Sequence, residues 1–324
     1  MRDEKKILSD LSAIISPSSG EAKVAEYIKE YIKETAPNAE VSEDALGTLT
    51  VALQGKNGRA VMLTASTDES VFAVNDADAD GRIRFASLGT LSPSAAAYCE
   101  AEFENGVRGT VVPVEKSETL PDDPLKYAVD IGAENKEDAL SKAAPGTAFR
   151  PSSSLFVNGD VITGPSVAAK AGVAVLLEAA ASLSGRELKN TVLLTFASQG
   201  KVGARSAGPA AVALSPAAAV SVVAVPENSL KKIPLGGGPV AVATSGRVVA
   251  DPLVRDALGL PIAVTEPKRV PDDGIAAARF LSKGVPAGIV GIPARYAGTA
   301  RETVDARDIA AAAKTLSEFV NGEF

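Results

Sequence analysis

The chain of 324 residues contains no histidine. Histidine is the commonest metal ligand in proteins, and its side chain is the one that usually titrates near neutral pH. The absence excludes zinc sites with imidazole ligands, Ser-His-Asp triads and Cys-His dyads. The commonest hydrolytic centres are therefore not available to this protein.

Cysteine is almost as scarce, because Cys99 is the only one. A single cysteine excludes an internal disulfide and is typical of a reducing compartment. Without a histidine partner, we expect Cys99 to be a small buried or half-buried residue rather than a reactive thiol. No apolar run approaches the length of a membrane span, and the charged start Met1 to Lys6 is unlike a secretion signal. These features predict a cytoplasmic protein that does not bind membranes.

The chain also has fewer basic than acidic residues and few aromatic side chains. The net charge is −7, tryptophan is absent and aromatic residues make up 4% of the chain. Nucleic-acid binding requires a basic face, and single strands or sugars are usually stacked on aromatic rings. The composition therefore argues against nucleic acid as a partner.

The hydrophobic patterning predicts two domains, as the length does. Residues Glu4 to Ile15 form one helical stripe, and a second helix is expected to begin at Ser18 and Ser19, with serine as its N-cap. The strands Thr48 to Leu53 and Ala60 to Thr64 follow. From about residue 71 to residue 161, short alternating segments are separated by Asp-Gly and Asn-Gly turns, which is typical of a small β module.

After Gly164 the chain alternates between helical and strand patterns. The predicted helices are 167–183, 204–214, 252–258, 274–281 and 305–320, and the predicted strands are 191–197, 219–225, 240–244, 262–265 and 287–292. Continuous apolar strands such as residues 220–225 suit a sheet that is covered on both faces. We therefore predict a mixed α/β sheet with helices on both faces, formed by residues 1–70 and 162–324, with an inserted, β-barrel-like domain at 71–161.

Six short motifs in a fixed order give the chain a resemblance to a known family. They are Asp44-Ala45-Leu46-Gly47-Thr48-Leu49, Ala65-Ser66-Thr67-Asp68-Glu69, Tyr127-Ala128-Val129-Asp130-Ile131-Gly132-Ala133, Ser198-Gln199-Gly200-Lys201-Val202-Gly203, Leu235-Gly236-Gly237-Gly238-Pro239 and Ile292-Pro293-Ala294-Arg295-Tyr296. Taken together, they resemble the glutamyl or tetrahedral aminopeptidases, the dinuclear metallopeptidases of peptidase family M42. The resemblance covers nearly the whole length and implies the aminopeptidase fold.

The same resemblance implies a metal site whose ligands have been replaced. Ser66 stands where the family has a metal-binding histidine, while Asp68, which supports that histidine in the family, is retained. The bridging carboxylate corresponds to Ala168 in the segment Gly164 to Gly172. The catalytic base and a metal-binding glutamate correspond to Gly200 and Lys201. A further carboxylate falls near Val223, and the final histidine falls at Gly298.

Most of these replacements remove a metal-binding group. Alanine, valine and glycine side chains donate nothing to a metal, and a serine hydroxyl is a poor ligand beside imidazole. An ammonium at Lys201 would repel a divalent cation by several kcal/mol at short range. The general base for a nucleophilic water is missing as well. We therefore expect no cofactor, although family members would bind two divalent metals, zinc or cobalt.

The functional hypothesis is a catalytically inactive family member, a pseudopeptidase with a structural, regulatory or ligand-binding role. One alternative is a metal-dependent aminopeptidase that removes N-terminal residues from peptides. Another is a metal-free hydrolase that uses Ser166 and Lys170, which lie four residues apart at the start of a helix. We prefer a purely structural interpretation of that pair, in which Ser166 is a helix N-cap and Lys170 is a solvated or ion-paired lysine. The expected partner is a second copy of the chain or an active paralogue.

Four charged residues lead to a joint prediction. In the predicted fold, Asp68, Glu69, Lys170 and Lys201 converge on the former metal pocket. We expect Lys201 to supply the positive charge that the metals once gave and to pair with Asp68 or Glu69. A hydrogen-bonded ion pair would offset much of the cost of a buried carboxylate.

Overall fold

The computed structural model describes residues 3–115, 118–228, 233–245, 248–265 and 284–323. The helix predicted at 274–281 lies outside the described residues. Within them, no helix has both the length and the apolar character needed to cross a bilayer.

A large mixed sheet forms the centre of the molecule. Its strands among the described residues are β1 (Glu40–Glu43), β2 (Leu49–Leu53), β3 (Ala60–Ser66), β10 (Phe156–Asn158), β11 (Val161–Gly164), β12 (Thr191–Ala197), β13 (Ala218–Pro226), β14 (Val240–Ser245), β15 (Val248–Val249), β16 (Ile262–Thr265), β17 (Ala287–Arg295) and β18 (Glu302–Asp305). They are ordered β1-β2-β12-β3-β13-β17-β18-β11-β10, and β14 joins β17 to β15 and β16. The adjacent strands β12, β3, β13 and β17 are parallel, so their carboxyl ends meet at one edge.

A closed six-stranded barrel is inserted after β3. Its strands are β4 (Val71–Ala77), β5 (Ile83–Leu88), β6 (Glu100–Phe103), β7 (Arg108–Pro113), β8 (Tyr127–Asp130) and β9 (Ala148–Pro151), in the order β4-β5-β8-β7-β6-β9. Closure leaves no unpaired strand edge. Phenylalanine rings fill the interior, with centroids 4.8 Å apart for Phe72 and Phe85 and 4.7 Å apart for Phe103 and Phe149.

Helices cover both faces of the large sheet. They are α1 (Glu4–Ser12), α2 (Ala22–Thr35), α5 (Val167–Leu183), α6 (Ala207–Leu214), α7 (Pro252–Ala257) and α8 (Ala306–Phe319), while α3 (Pro93–Ala96) and α4 (Lys136–Lys142) accompany the barrel, as does a 3-10 helix at Pro124–Lys126. Helix α5 is buried along almost its whole length, because it packs on β3 and β13 and is covered by α1, α2 and α8. A helix that is apolar on all sides is expected at such a central position.

The predicted fold class is therefore confirmed, including the barrel and the covered mixed sheet. Two details of the sequence-based prediction were wrong. Strand β10 pairs with β11 in the large sheet, although the sequence division assigned residues 156–158 to the inserted domain. Helix α2 begins at Ala22, and its N-cap is Glu21 rather than a serine. The Ser18 hydroxyl instead donates a hydrogen bond to the Asp68 carboxylate at 2.6 Å.

Candidate functional site

A cavity of about 620 Å³ lies where the parallel strands end. Ligands of open α/β sheets commonly bind outside the carboxyl ends of the strands. The cavity wall includes Ser66 at the end of β3, Val223 in β13 and Ala168 in the first turn of α5. Lys201 from the loop after β12 and Gly298 from the loop after β17 complete this group. Five of the nine positions singled out in the sequence thus line one cavity.

The other four positions are buried and are not part of the cavity wall. Asp68, Glu69 and Lys170 have relative exposures of 0%, 1% and 0%. Gly200 packs directly on Ser66: a Cβ added to Gly200 would lie 2.6 Å from the Cβ of Ser66 and would collide with its hydroxyl. Because Cβ atoms in proteins essentially never lie closer than 3.0 Å to such a neighbour, Ser66 would have to move to admit a side chain at Gly200. The loop therefore has no room for a side chain at the position of the predicted catalytic base.

The Asp68 carboxylate is held by the loop after β12 and by Ser18. It accepts hydrogen bonds from the backbone N–H of Gly200 at 3.0 Å and from that of Lys201 at 2.8 Å. These bonds satisfy the carboxylate without a metal. The pairing of the Lys201 ammonium with Asp68 or Glu69 stays a prediction. The contacts described here are those of the Lys201 backbone N–H with Asp68 and of Arg150 with Glu69.

The partner of Glu69 is Arg150, which the sequence interpretation missed. Its Nη1 lies 3.0 Å from Oε2 of Glu69, and its Nη2 donates to the backbone carbonyl of Ser12 at 2.8 Å. Both charged side chains are buried, with exposures of 4% and 0%. Arg150 lies in the barrel strand β9 between Phe149 and Pro151, and nothing in that local pattern distinguishes it from a surface arginine.

Lys170 is fully buried and holds two neighbouring segments together. Its Nζ donates to the Ser16 hydroxyl and, at 2.8 Å, to the backbone carbonyl of Thr67. Burial lowers its pKa to about 8, and the nearby charges of Glu69 and Asp68 oppose that shift. The Lys170 ammonium is thus neither solvated nor hydrogen-bonded to the Ser166 hydroxyl, which lies 3.4 Å from Nη1 of Arg150.

The first turn of α5 is capped by Glu302 rather than by Ser166. Ser166 occupies the N-cap position in a left-handed conformation, and its side chain makes no capping bond. Glu302 accepts from the backbone N–H groups of Ala168 at 3.0 Å and Ala169 at 3.2 Å, and from Gly298 at 3.0 Å. Burial raises the pKa of this carboxyl, and the three N–H donors oppose the rise. The helix N-terminus therefore already has its acceptor within the chain.

The loop that carries Gly298 packs closely on the barrel segment after β5, at Thr90 and Ser92. Gly298 has φ of +79°, and a Cβ added there would lie 2.7 Å from the backbone oxygen of Thr90. A side chain at this position would be strained by its backbone conformation and would clash with rigid backbone. An imidazole at residue 298 therefore does not fit the loop as it is folded.

The donor set of the cavity is poor for metals. Among the described residues, no three or more Asp, Glu, Cys or His side chains are grouped so as to hold an ion. The two carboxylates in the wall, Asp122 and Glu302, are engaged by the hydroxyls of Ser92 and Ser94 and by backbone N–H groups, respectively. A pair of divalent metals needs several free oxygen or nitrogen donors, and these residues do not supply them.

Comparison with known sequences identifies relatives along most of the chain. The family model described as M42 glutamyl aminopeptidase matches residues 47–315. A protein of Acetivibrio thermocellus, whose name provisionally calls it an aminopeptidase, is 29% identical over 97% of this chain and 97% of its own. Lysyl aminopeptidase of Pyrococcus furiosus is 26% identical, over 88% of this chain and 87% of its own.

Solved structures show the same fold at lower identity. An aminopeptidase of the archaeon Desulfurococcus kamchatkensis superposes with a TM-score of 0.89 at 21% identity, covering 98% of this chain and 94% of its own. The TET1 peptidase of Pyrococcus horikoshii gives a TM-score of 0.88 at 22% identity, covering 99% of this chain and 100% of its own.

Proposed function

Since the chain belongs to the M42 glutamyl aminopeptidase family, we propose that it is a member that binds a small ligand in its cavity without hydrolysing peptides. The observation that carries this proposal is the set of residues that form the cavity wall and the pairing of the buried charges beside it. Ser66, Ala168, Lys201 and Val223 stand in the wall where metal ligands would be needed, and the buried charges nearby are already paired within the chain.

Two features of the backbone support the proposal further. The loop at Gly200 leaves no space beside Ser66, and the loop at Gly298 leaves none beside Thr90. This close packing at Gly200 and Gly298 supports the proposal that neither position holds a metal ligand.

The competing candidate is a metal-dependent aminopeptidase. Family membership favours it, as do the names of the two sequence relatives, one of which is a lysyl aminopeptidase. Metal binding would then have to use hydroxyls, backbone oxygens or carboxylates that are released from their present partners. Metal content and hydrolysis separate the two candidates.

The test is to incubate the purified protein with excess zinc or cobalt, remove unbound metal by gel filtration, and measure metal per chain. Hydrolysis of leucine and lysine p-nitroanilides is followed with and without chelator. We expect metal well below one ion per chain and no chelator-sensitive hydrolysis. A Ser66→Ala/Glu302→Gln variant is the control, because activity that persists unchanged in it comes from a co-purifying enzyme. Stoichiometric metal with chelator-sensitive hydrolysis would overturn the proposal.

The metal-free hydrolase has less support. A serine nucleophile needs a base within hydrogen-bond reach, and the Lys170 ammonium donates instead to Ser16 and Thr67. Neither Lys170 nor Ser16 is part of the cavity wall. Chelator-resistant hydrolysis that is abolished by Ser166→Ala would reverse this order of preference.

The proposal includes self-association. The Pyrococcus horikoshii peptidase is described as able to assemble into a tetrahedron or a large octahedral shell, and by analogy we propose a homo-oligomer here. Assembly with an active paralogue is the alternative, and a cytoplasmic location stays a prediction. Light scattering of the purified chain alone should give a mass several times that of one chain, whereas a monomer would favour the hetero-oligomer.

A further inference from the structure

The mouth of the cavity carries one charged side chain. The wall residues that are exposed are Thr90, Asp122, Tyr296 and Ala297. Asp122 is the charged member of this group. The barrel supplies one side of the mouth and the loop after β17 the other, and the Ser92 N–H joins them by donating to the Gly298 carbonyl at 3.0 Å. A ligand that enters the cavity therefore passes a carboxylate first.

The protein uses one of the two oxygens of the Asp122 carboxylate. Oδ1 accepts from the hydroxyls of Ser92 at 2.6 Å and Ser94 at 3.2 Å, and the N–H of Ser94 lies 3.4 Å from it. The bond from Ser92 holds the pKa of this carboxyl below its usual range, so the group is ionised at neutral pH. Oδ2 accepts no hydrogen bond from the part of the chain that the structure describes. The carboxylate is thus held by one oxygen and keeps its acceptor capacity on the other.

The cations of the wall, in contrast, are engaged within the chain. Arg150 is buried, with Nη1 at 3.0 Å from Glu69 and Nη2 at 3.7 Å from Glu102. Lys201 also has an interaction within the chain. Neither cation is therefore offered to an anionic ligand.

The balance of charge around the cavity is also negative. The charged groups of the wall, together with those that act on them from behind it, are five carboxylates, Asp68, Glu69, Glu102, Asp122 and Glu302, and three cations, Arg150, Lys170 and Lys201. Burial raises the pKa of Glu302 and lowers that of Lys170 to about 8. Protonation of Glu302 would reduce the excess of negative charge without reversing it. The field at the cavity favours a cation.

Tyr296 adds an aromatic ring to the same mouth. Its side chain is 64% exposed, and its backbone is left-handed, with φ of 55°. The Thr299 hydroxyl donates to the Tyr296 carbonyl at 2.7 Å, which fixes the turn that carries the ring. The face of a tyrosine ring attracts cations electrostatically. The ring thus favours the same sign of charge as Asp122.

The inner part of the wall is small and apolar. It includes the buried residues Ala168 and Gly172 of α5, Val223 of β13 and Ala294 of β17. A volume of about 620 Å³ is in the range for small-molecule sites, which are mostly apolar with a few polar anchors. A short apolar body can lie inside while its polar end stays at the mouth.

We infer that the cavity binds a small organic amine, with its ammonium group on Asp122 and Tyr296 at the mouth and a short apolar body against α5 and β13. The inference rests on the proposed function, because it takes the inner part of the cavity to be free of metals. The ammonium lies at the exposed mouth rather than at the buried positions Ser66 and Ala168. An ammonium on a carboxylate is the strong, charge-assisted form of hydrogen bonding.

The experiment is isothermal titration calorimetry on the full chain in the presence of chelator. The probes are isoamylamine, isoamyl alcohol and isovalerate, which share one apolar body and are cationic, neutral and anionic. We expect saturable binding of the amine, binding of the alcohol that is about tenfold weaker or more, and no binding of isovalerate. The tenfold difference follows from the loss of a charge-assisted hydrogen bond.

Asp122→Asn is the decisive variant, because the amide keeps the size of the side chain and an oxygen for Ser92 and removes the charge. It should weaken amine binding about tenfold or more. Tyr296→Leu keeps an apolar side chain without the ring and should weaken it about two- to fivefold. Asp130→Asn is the control, because Asp130 is an exposed barrel carboxylate outside the cavity wall. Circular dichroism verifies that each variant is folded.

Weaker amine binding in both cavity variants, with no change in the Asp130 control, would support the inference. Equal binding of amine and alcohol, a preference for isovalerate, binding of no probe, or amine binding that Asp122→Asn or Tyr296→Leu leaves unchanged would overturn it. The three probes test the sign of charge on the parent chain, so the inference stays testable where a variant does not fold. The proposed lack of hydrolysis fails separately, through metal-dependent cleavage of the p-nitroanilides.

Discussion

Three buried hydroxyls lie side by side on adjacent parallel strands. Thr195 of β12 is paired with Thr64 of β3, and Thr64 is paired with Ser221 of β13. All three are at most 2% exposed, and none of the hydroxyls has a hydrogen-bond partner among the described residues. Each therefore carries the cost of burying a polar group without the compensation of a hydrogen bond.

Thr64→Val tests this cost. Valine keeps the branched shape and removes the unpartnered hydroxyl, so we expect the free energy of unfolding to rise by about 1 kcal/mol. Urea unfolding measures the change. The matched control is Thr163→Val, because the Thr163 hydroxyl is buried and bonded to that of Thr303 at 2.9 Å. That control should lose about 1 kcal/mol. Equal losses in both variants would mean that the Thr64 hydroxyl is satisfied in solution.

Glu178 gives a residue-level prediction about pH. It lies half-buried in α5, 3.5 Å from the hydroxyl of Tyr31, and burial with the nearby charge of Glu4 raises its pKa to about 7 from an ordinary 4.5. Between those two values the folded protein holds more protons than the unfolded chain, so the free energy of unfolding falls as pH rises through this window.

Glu178→Gln removes the ionisable carboxyl and with it this loss of stability at high pH. We expect the variant to be more stable than the parent by about 1 kcal/mol at pH 8, a figure reduced for solvent screening, and the gain should vanish near pH 5. Urea unfolding at both pH values measures it. Glu30→Gln, at an exposed position of α2, is the control for the loss of one negative charge. A gain that is the same at pH 5 and pH 8 would contradict the raised pKa.

At the level of elements, the loops after β12 and β17 decide what the cavity can hold. Gly298→Ala tests the second loop, because the added methyl would lie 2.7 Å from the carbonyl oxygen of Thr90. The control is Gly185→Ala. Gly185 has a similar φ of +73°, but nothing lies within 4 Å of the added atom. Both variants have the strain of a left-handed alanine, about 1 kcal/mol, and only Gly298→Ala adds a steric clash.

We expect Gly298→Ala to lose at least 1 kcal/mol more than Gly185→Ala in urea unfolding. Equal losses would show that the loop opens easily. In that case a larger side chain at residue 298 would be tolerated, and the argument that an imidazole does not fit there would fail.

The elements themselves follow from local patterning far better than the site does. The helix over 167–183 was predicted at the bounds it has, because a long run of alanine, valine and leucine has few other stable arrangements. Ser18 and Lys170 were misjudged, since an N-cap and a solvated lysine are the common local roles of these residue types. Their actual partners, Asp68 and Ser16, are distant in sequence. Arg150 escaped notice for the same reason.

At the level of the whole molecule, the buried charges near the cavity have partners within the chain. Three contacts connect the barrel, α5 and the loops at the end of the sheet. They join Glu69 to Arg150, Lys170 to Ser16, and Asp68 to the backbone of residues 200 and 201. We expect these contacts to keep the two domains together without an ion. Breaking a buried ion pair such as that of Glu69 and Arg150 costs about 3–5 kcal/mol.

Thermal unfolding of the whole chain should therefore be insensitive to metals. A ligand present at a hundred times its dissociation constant would stabilise the folded state by about 2.7 kcal/mol and raise Tm by a few degrees. We expect no change in Tm beyond error with zinc, cobalt or chelator, measured by differential scanning calorimetry. Magnesium at the same concentration controls for ionic strength. A rise with zinc or cobalt that magnesium does not reproduce would show that the folded chain binds these metals, and the pairs around Lys170 would then have to coexist with or yield to a metal centre.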